Sequence, residues 1–306
     1  MNAPSPTPPN PSQSENTTIS VMIVTDSVAQ VPPDLARQLG IRVIPLSVMV
    51  EDKKYIDGVD LDSAGLYLRM RQEKDLHIST SAPSAGQFYA LFLDCLNSGA
   101  QSVLYIGLTS RLSGTFSAAE GGSIMAREEF GDRQIVLYDT RLATIAQGFL
   151  AIEAARLANQ GASVEQILQQ LDLERKRIGF AAGLETLEYL ARGGRIGKAA
   201  YMLGSIVQIL PIITLSEDGE VLPISRVRGY HHVLEEIVDY VSEKVCGCRS
   251  LSLAIMHADA QSWADKLQSM AEARLHPDEI LVTPFTPVMV AHTGPGIIGL
   301  AYHWRP

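Results

Sequence analysis

From Ile19 onward, short β-branched runs alternate with longer amphipathic ones. ISVMIVTDS is apolar and then ends in Thr-Asp-Ser, the pattern of a buried strand passing into a helix cap. Pro32-Pro33-Asp34 opens a helix through Gln38 that Gly40 stops. IRVIPLSVMV predicts the next strand, with Pro45 marking an edge or a bulge. Residues 61–73 predict a helix, and a polar stretch runs from His77 to Ala85. Then come a helix in GQFYALFLDCLNSGA, a strand in SVLYIGLTS, a helix in SGTFSAAEGGSIMAREEF and a strand in QIVLYDT. A long helix over LATIAQGFLAIEAARLANQG ends at Gly161. Strands alternating with helices predict βαβ units and a parallel sheet.

The second half has another rhythm. Val164 to Arg177 is helical, IGFAAGL a short strand, and LETLEYLARGG a helix with a glycine stop. In PIITLSEDGEVLPISRVRG two strand-like runs flank Glu217-Asp218-Gly219, a strong hairpin signal. A helix (230–245), a strand in SLSLAIMHA and a helix (262–273) follow. ILVTPFTPVMVAHTGPG predicts a strand pair closing on a glycine-rich turn. The expected fold class is α/β with two domains. A parallel-sheet N-terminal domain spans 19–160, and a mixed α+β C-terminal domain spans 161–306, with its last residues returning to the space between them.

Composition narrows the function. Residues 1–18, MNAPSPTPPNPSQSENTT, are rich in Pro, Ser, Asn and Thr, cannot bury a core, and predict a disordered tail with no signal-peptide pattern. The most apolar run, Tyr201 to Leu215, is shorter than a membrane span and carries Ser205, Gln208 and Pro211. A net charge of −9 argues against a broad nucleic-acid or membrane footprint, though it leaves room for a local basic patch. Three cysteines are too few for a disulfide scaffold and suggest a reducing, cytoplasmic setting. Cys246-Gly247-Cys248 with His257 lacks zinc spacing, so no metal site is expected. No Gly-x-Ser-x-Gly elbow occurs, and no Gly-x-Gly-x-x-Gly follows the first strand, so neither a hydrolase nor a dinucleotide cofactor is supported.

Hydroxyl residues collect at predicted strand ends: Thr25-Asp26-Ser27, Thr109-Ser110 with Ser113-Gly114-Thr115, and Asp139-Thr140. A further cluster, Thr80-Ser81-Ala82-Pro83-Ser84, precedes a helix. Each hydroxyl either caps its own helix or joins a shared anion site outside the strand ends. His292-Thr293-Gly294-Pro295-Gly296 is either an ordinary turn or an anion nest with a histidine donor. Arg192-Gly193-Gly194-Arg195-Ile196-Gly197-Lys198 fails the phosphate-loop pattern, having Arg for the first Gly and Ala199 for Ser or Thr. It reads as a cationic helix end. With Arg226 and Arg228 it makes a local basic surface on an acidic chain.

Five blocks, in one order, resemble the DegV family of bacterial fatty-acid-binding proteins. They are VTDSVAQVPPDL (24–35), TSAPSAGQF (80–88), LTSRLSGTFSAA (108–119), LEYLARGGRIGKAAYMLGSIVQILPIITL (187–215) and HTGPGIIGLAY (292–302). The resemblance implies a long-chain fatty acid in an inter-domain tunnel, its carboxylate held by Thr80, Ser81, Ser113, Gly114, His292 and Thr293. It implies a non-catalytic, lipid-binding subunit of a fatty acid kinase system feeding phospholipid metabolism, with Arg195, Arg226 and Arg228 facing the kinase catalytic subunit. No cofactor is implied. Ala82, Arg111 and the run Thr140-Arg141-Leu142-Ala143-Thr144 depart from the family pattern. A small-molecule enzyme, or a binder of a phosphorylated metabolite using the same loops, is the alternative.

Overall fold

The computed structural model describes residues 21–61, 63–73, 75–130, 134–203 and 209–306. The tail expected at 1–18 lies outside the described residues. The first half runs β1 (Val21–Asp26), α1 (Pro33–Leu39), β2 (Arg42–Ile44), β3 (Ser47–Val50), β4 (Lys53–Ile56) and α2 (Ser63–Gln72). It continues through β5 (Ile78–Ser81), α3 (Ala85–Asn97), β6 (Ser102–Gly107), α4 (Thr115–Phe130), β7 (Gln134–Asp139) and α5 (Thr144–Asn159). The second half runs α6 (Val164–Glu174), β8 (Ile178–Gly183), α7 (Glu188–Arg192), β9 (Ile209–Leu215), β10 (Val221–Arg228) and α8 (Tyr230–Lys244). It ends with β11 (Ser250–His257), α9 (Gln261–Leu275), β12 (Glu279–Pro284), α10 (Pro287–Thr293) and β13 (Ile298–Arg305).

The fold is α/β, with a parallel sheet and a separate mixed sheet. Strands β2-β1-β6-β7 form the four-stranded sheet, parallel throughout. Strands β10-β9-β8-β13-β11-β12 form the six-stranded sheet, antiparallel except for the β11–β12 pair. The expected hairpin forms as β9 and β10 around Glu217-Asp218-Gly219.

Between the two sheets lies α5, which packs on β1 and β6 and also on β8 and β13. A helix covered on two sides must be apolar nearly all round, and every residue from 144 to 155 except Glu153 is buried. Gly148 lets it come close: a Cβ there would sit 2.3 Å from the Ala29 carbonyl oxygen. One apolar cluster therefore runs continuously from β1 through α5 to β8 and β13.

Three expectations are corrected. IRVIPLSVMV is not one strand, because Pro45 and Leu46 break it into β2 of the parallel sheet and β3 of a separate β4-β3-β5 sheet. Proline has no N–H for a ladder, so the break falls at a natural place to change sheets. The polar stretch from His77 contains a strand, β5, paired antiparallel to β3. The run over 280–296 is not a strand pair: Pro287 starts α10, and His292 lies in its last turn.

Candidate functional site

A cavity lies between the two sheets. Its walls draw on Leu108 and Leu112 after β6, Phe180 and Ala182 of β8, Ile213 of β9 and Val288 of α10. The space among these walls, with the open solvent at the mouth included, is about 760 Å³. The apolar run at 200–215 contributes Ile213 and Leu215, whereas Tyr201 and Leu203 are exposed and 204–208 lie outside the described residues.

Against these apolar walls stand Thr80, Ser113, Thr144, Arg195, His292 and Thr293. Thr80 Oγ1 and His292 Nε2 are 2.8 Å apart. Burial, with the Arg195 charge second, holds the His292 pKa down to about 4, so the ring is neutral. Its buried Nδ1 has no hydrogen-bond partner among the described residues. An orphaned N–H costs more than an orphaned lone pair, so the proton belongs on Nε2, which donates to Thr80. The Thr80 hydroxyl hydrogen is then free to donate into the cavity. Gly193 lies against Nδ1, where a Cβ would come within 2.4 Å.

Ser113 lies where the cavity meets a polar groove, which Ser110, Arg111, Gly114, Ser117 and Arg195 also line. Its Oγ is 2.8 Å from Thr115 Oγ1 and accepts the Thr115 N–H at 3.3 Å, so it serves the start of α4 as well as the cavity. Arg195 belongs to both walls. Its Nε donates to the Leu112 carbonyl at 2.9 Å and a second guanidinium nitrogen donates to the Gly193 carbonyl. The guanidinium is thereby fixed beside Ser113 and within electrostatic reach of His292.

The other expected residues fall elsewhere. Ser81 follows Thr80 in β5, so it faces the opposite side; it is exposed and outside the cavity wall. Gly114 lines the groove and not the cavity. Thr293 lines the cavity, but its hydroxyl donates to the Met289 carbonyl at 2.9 Å. Arg226 and Arg228 lie exposed on the edge strand β10, and Arg226 stacks over Tyr201 with 5.6 Å to the ring centre. The three arginines thus separate into one in the cavity wall and two on the surface.

Most other hydroxyls support their own loops. Ser84 makes a capping box with Gln87. Thr25 and Thr140 donate to the carbonyls of Ile106 and Gly107. The Asp26 carboxylate is fully engaged by Tyr105, Gln147 and the N–H groups of Val28 and Leu108. Through the Leu108 N–H it anchors the start of the loop leading to Ser113. Sequence reading missed Thr144 and the steric role of Gly193. The site presents neutral hydroxyl donors and one guanidinium at the edge of an apolar cavity, which suits an anionic head on an apolar body. Among the described residues, no group of three or more His, Cys, Asp or Glu could hold a metal, and no helix is long and apolar enough to cross a membrane.

Comparison with known proteins agrees over nearly the whole chain. Residues 20–304 match the model of a family described as "Uncharacterised protein, DegV family". A DegV domain-containing protein of Halalkalibacterium halodurans is 32% identical over 284 residues, covering 92% of this chain and 98% of its own length. The structure of a fatty-acid-binding DegV family protein from Thermus thermophilus superposes with TM-score 0.86 at 30% identity, covering 93% of this chain and 99% of that one. DegV of Bacillus subtilis, described as a fatty acid binding protein, superposes with TM-score 0.82 at 27% identity, over 94% of this chain and all of that one.

Proposed function

This chain belongs to the DegV family, and from that premise we propose that it binds a long-chain fatty acid in the cavity between its sheets and presents the carboxylate to a partner kinase. The observation that carries this reading is the pairing of apolar walls with the His292–Thr80 relay, Ser113 and Arg195 at one cavity. The described fatty-acid binding of the Thermus thermophilus and Bacillus subtilis proteins supports it. Each buried CH₂ of the acyl chain contributes roughly 0.8 kcal/mol before ordering costs.

Thr80 and Ser113 donate to the carboxylate, Gly114 and Thr293 shape the backbone beside it, and Arg195 balances its charge. Ser81 acts only through its place in β5. Arg226 and Arg228 face the kinase. The chain supplies no catalytic base, because a histidine with a pKa of about 4 is a poor proton acceptor. It acts in the cytoplasm as the lipid-carrying partner in acyl-phosphate formation. The two units, 19–160 and 161–306, contribute opposite walls.

Native mass spectrometry before and after delipidation tests the reading. The purified chain should lose one long acyl chain, and Ser113→Ala and His292→Ala should each weaken rebinding by about 1–3 kcal/mol while the fold persists. A chain that is empty and accepts no fatty acid overturns it.

A further inference from the structure

Two short helices beside the cavity, α7 and α10, are interlocked ring to glycine in both directions. Each ends on a glycine, Gly193 after α7 and Gly294 after α10. The His292 ring of α10 lies on Gly193, where a Cβ would come within 2.4 Å of Nδ1. The Tyr189 ring of α7 lies in turn on Gly294, where a Cβ would come within 2.3 Å of Cδ2 and 2.4 Å of Cε2. Contacts this close leave no room for a side chain, so each ring seats directly on the other helix's end.

Backbone bonds make the two contacts one unit. The Gly193 N–H donates to the Tyr189 carbonyl at 3.0 Å, which ties the glycine under His292 to the residue over Gly294. The Gly294 N–H donates to the Val290 carbonyl at 2.8 Å and closes the last turn of α10, the turn that carries His292. Gly294 also has φ near +75°, a conformation that disfavours a side chain. Tyr189 is partly buried and is not in the acyl cavity wall, whereas its neighbour Leu190 is. Among the described residues the Tyr189 hydroxyl has no hydrogen-bond partner, so the ring and not the hydroxyl makes the contact.

We propose that Tyr189 is a positioning residue for the carboxylate site: its ring, seated on Gly294, holds the last turn of α10 so that His292 keeps Nε2 on Thr80 and stays shut off from water. The inference rests on the head-group role given to His292 and Thr80. His292 stands two residues before Gly294, so a shift of that glycine moves the imidazole and lengthens its 2.8 Å contact with Thr80. Removing the Tyr189 ring leaves a void over a glycine, which the helix end or water then fills. Either outcome disturbs the donor geometry that a carboxylate needs. The charged group that acts on the imidazole is Arg195, and it is held by the Leu112 and Gly193 carbonyls and not by Tyr189.

The test uses the full chain, with palmitate as probe and NMR of the His292 ring in ligand-free protein. Tyr189→Ala should weaken palmitate about tenfold, the equivalent of one misplaced hydrogen bond. It should also raise the His292 pKa from about 4 toward its ordinary 6.5, because water reaches the ring. Tyr189→Phe keeps the ring and should match the wild type on both counts. Tyr189→Leu fills the volume without a flat face and should behave as the alanine variant does, which covers the case in which Tyr189→Ala fails to fold. An unmoved His292 pKa in a folded alanine or leucine variant, or a phenylalanine variant as impaired as they are, would overturn the assignment. A wild-type chain that binds no palmitate would overturn the fatty-acid reading and leave the ring pKa to decide this one, so the two fail separately.

Discussion

His292 is held neutral by its surroundings, and that has a sign in pH. Its pKa is about 4 in the folded chain against an ordinary 6.5. Between those values the unfolded chain takes up a proton that the native ring refuses, so native stability falls as pH drops through the window, by up to about 3 kcal/mol. His292→Gln removes this titration. Urea unfolding from pH 7.5 to 4 should show a flatter decline for the variant than for the wild type, and equal slopes would place the loss on other groups. The ring's neighbour shows what a sequence hides at this scale. Gly193-Gly194 reads as a helix stop, and Gly194 does have φ near +71°. Gly193 has an ordinary φ of −75° and is small because His292 Nδ1 needs the space. Conformational need is visible in a glycine pair, whereas a steric need arising 99 residues further along the chain (193 to 292) is not.

Among the elements, α10 carries His292 and is capped from a distance. Thr286 stands at its N-cap but makes no side-chain cap bond, and the Val288 N–H goes instead to Asp57, just past β4. Asp57→Ala should therefore loosen α10, costing about 1–3 kcal/mol and lowering fatty-acid affinity together, whereas Asp57→Asn should keep both. Thermal unfolding beside a fatty-acid titration would check it, and an unaffected affinity in the alanine variant would separate α10 from the site. The β9–β10 hairpin was legible because its turn residues sit between two apolar runs. The β4-β3-β5 sheet was not, since KKYI and ISTS carry little of the apolar alternation that marks a strand, and their pairing comes from distant chain. The run over 280–296 looked like two strands because it is apolar and β-branched; its first part is β12, and proline at the first helical position made the second part α10.

For the whole molecule, the two halves are fastened at two places. At one, Arg71 of α2 pairs with Glu185 and Asp259. At the other, the β9–β10 turn docks on the loop after β6, through Thr109 with the Gly219 carbonyl and Arg111 with Glu220. The surface beyond the hairpin carries Arg226 and Arg228, which are exposed and apart from the cavity wall. Arg228→Glu should slow acyl-phosphate formation with the cognate kinase, most at low salt where steering is least screened, and leave lipid content unchanged. Arg195→Glu should instead lose lipid, because it sets a carboxylate beside the bound one. Lipid loss in the Arg228 variant would undo this division of labour. The five sequence blocks identified the family, but only the assembled walls separated Arg195 from the other two arginines.

The last strand in chain order, β13, occupies the middle of the six-stranded sheet, between β8 and β11. A ribosome making this chain from its N-terminus delivers β8 to β12 before the strand that joins them. Until residues 298–305 emerge, β8 and β11 both present unpaired edges, and the wall that α5 packs against is incomplete. A chain cut short before those eight residues would keep an open sheet with two bare strand edges, a species prone to pair with other chains and a task for chaperones.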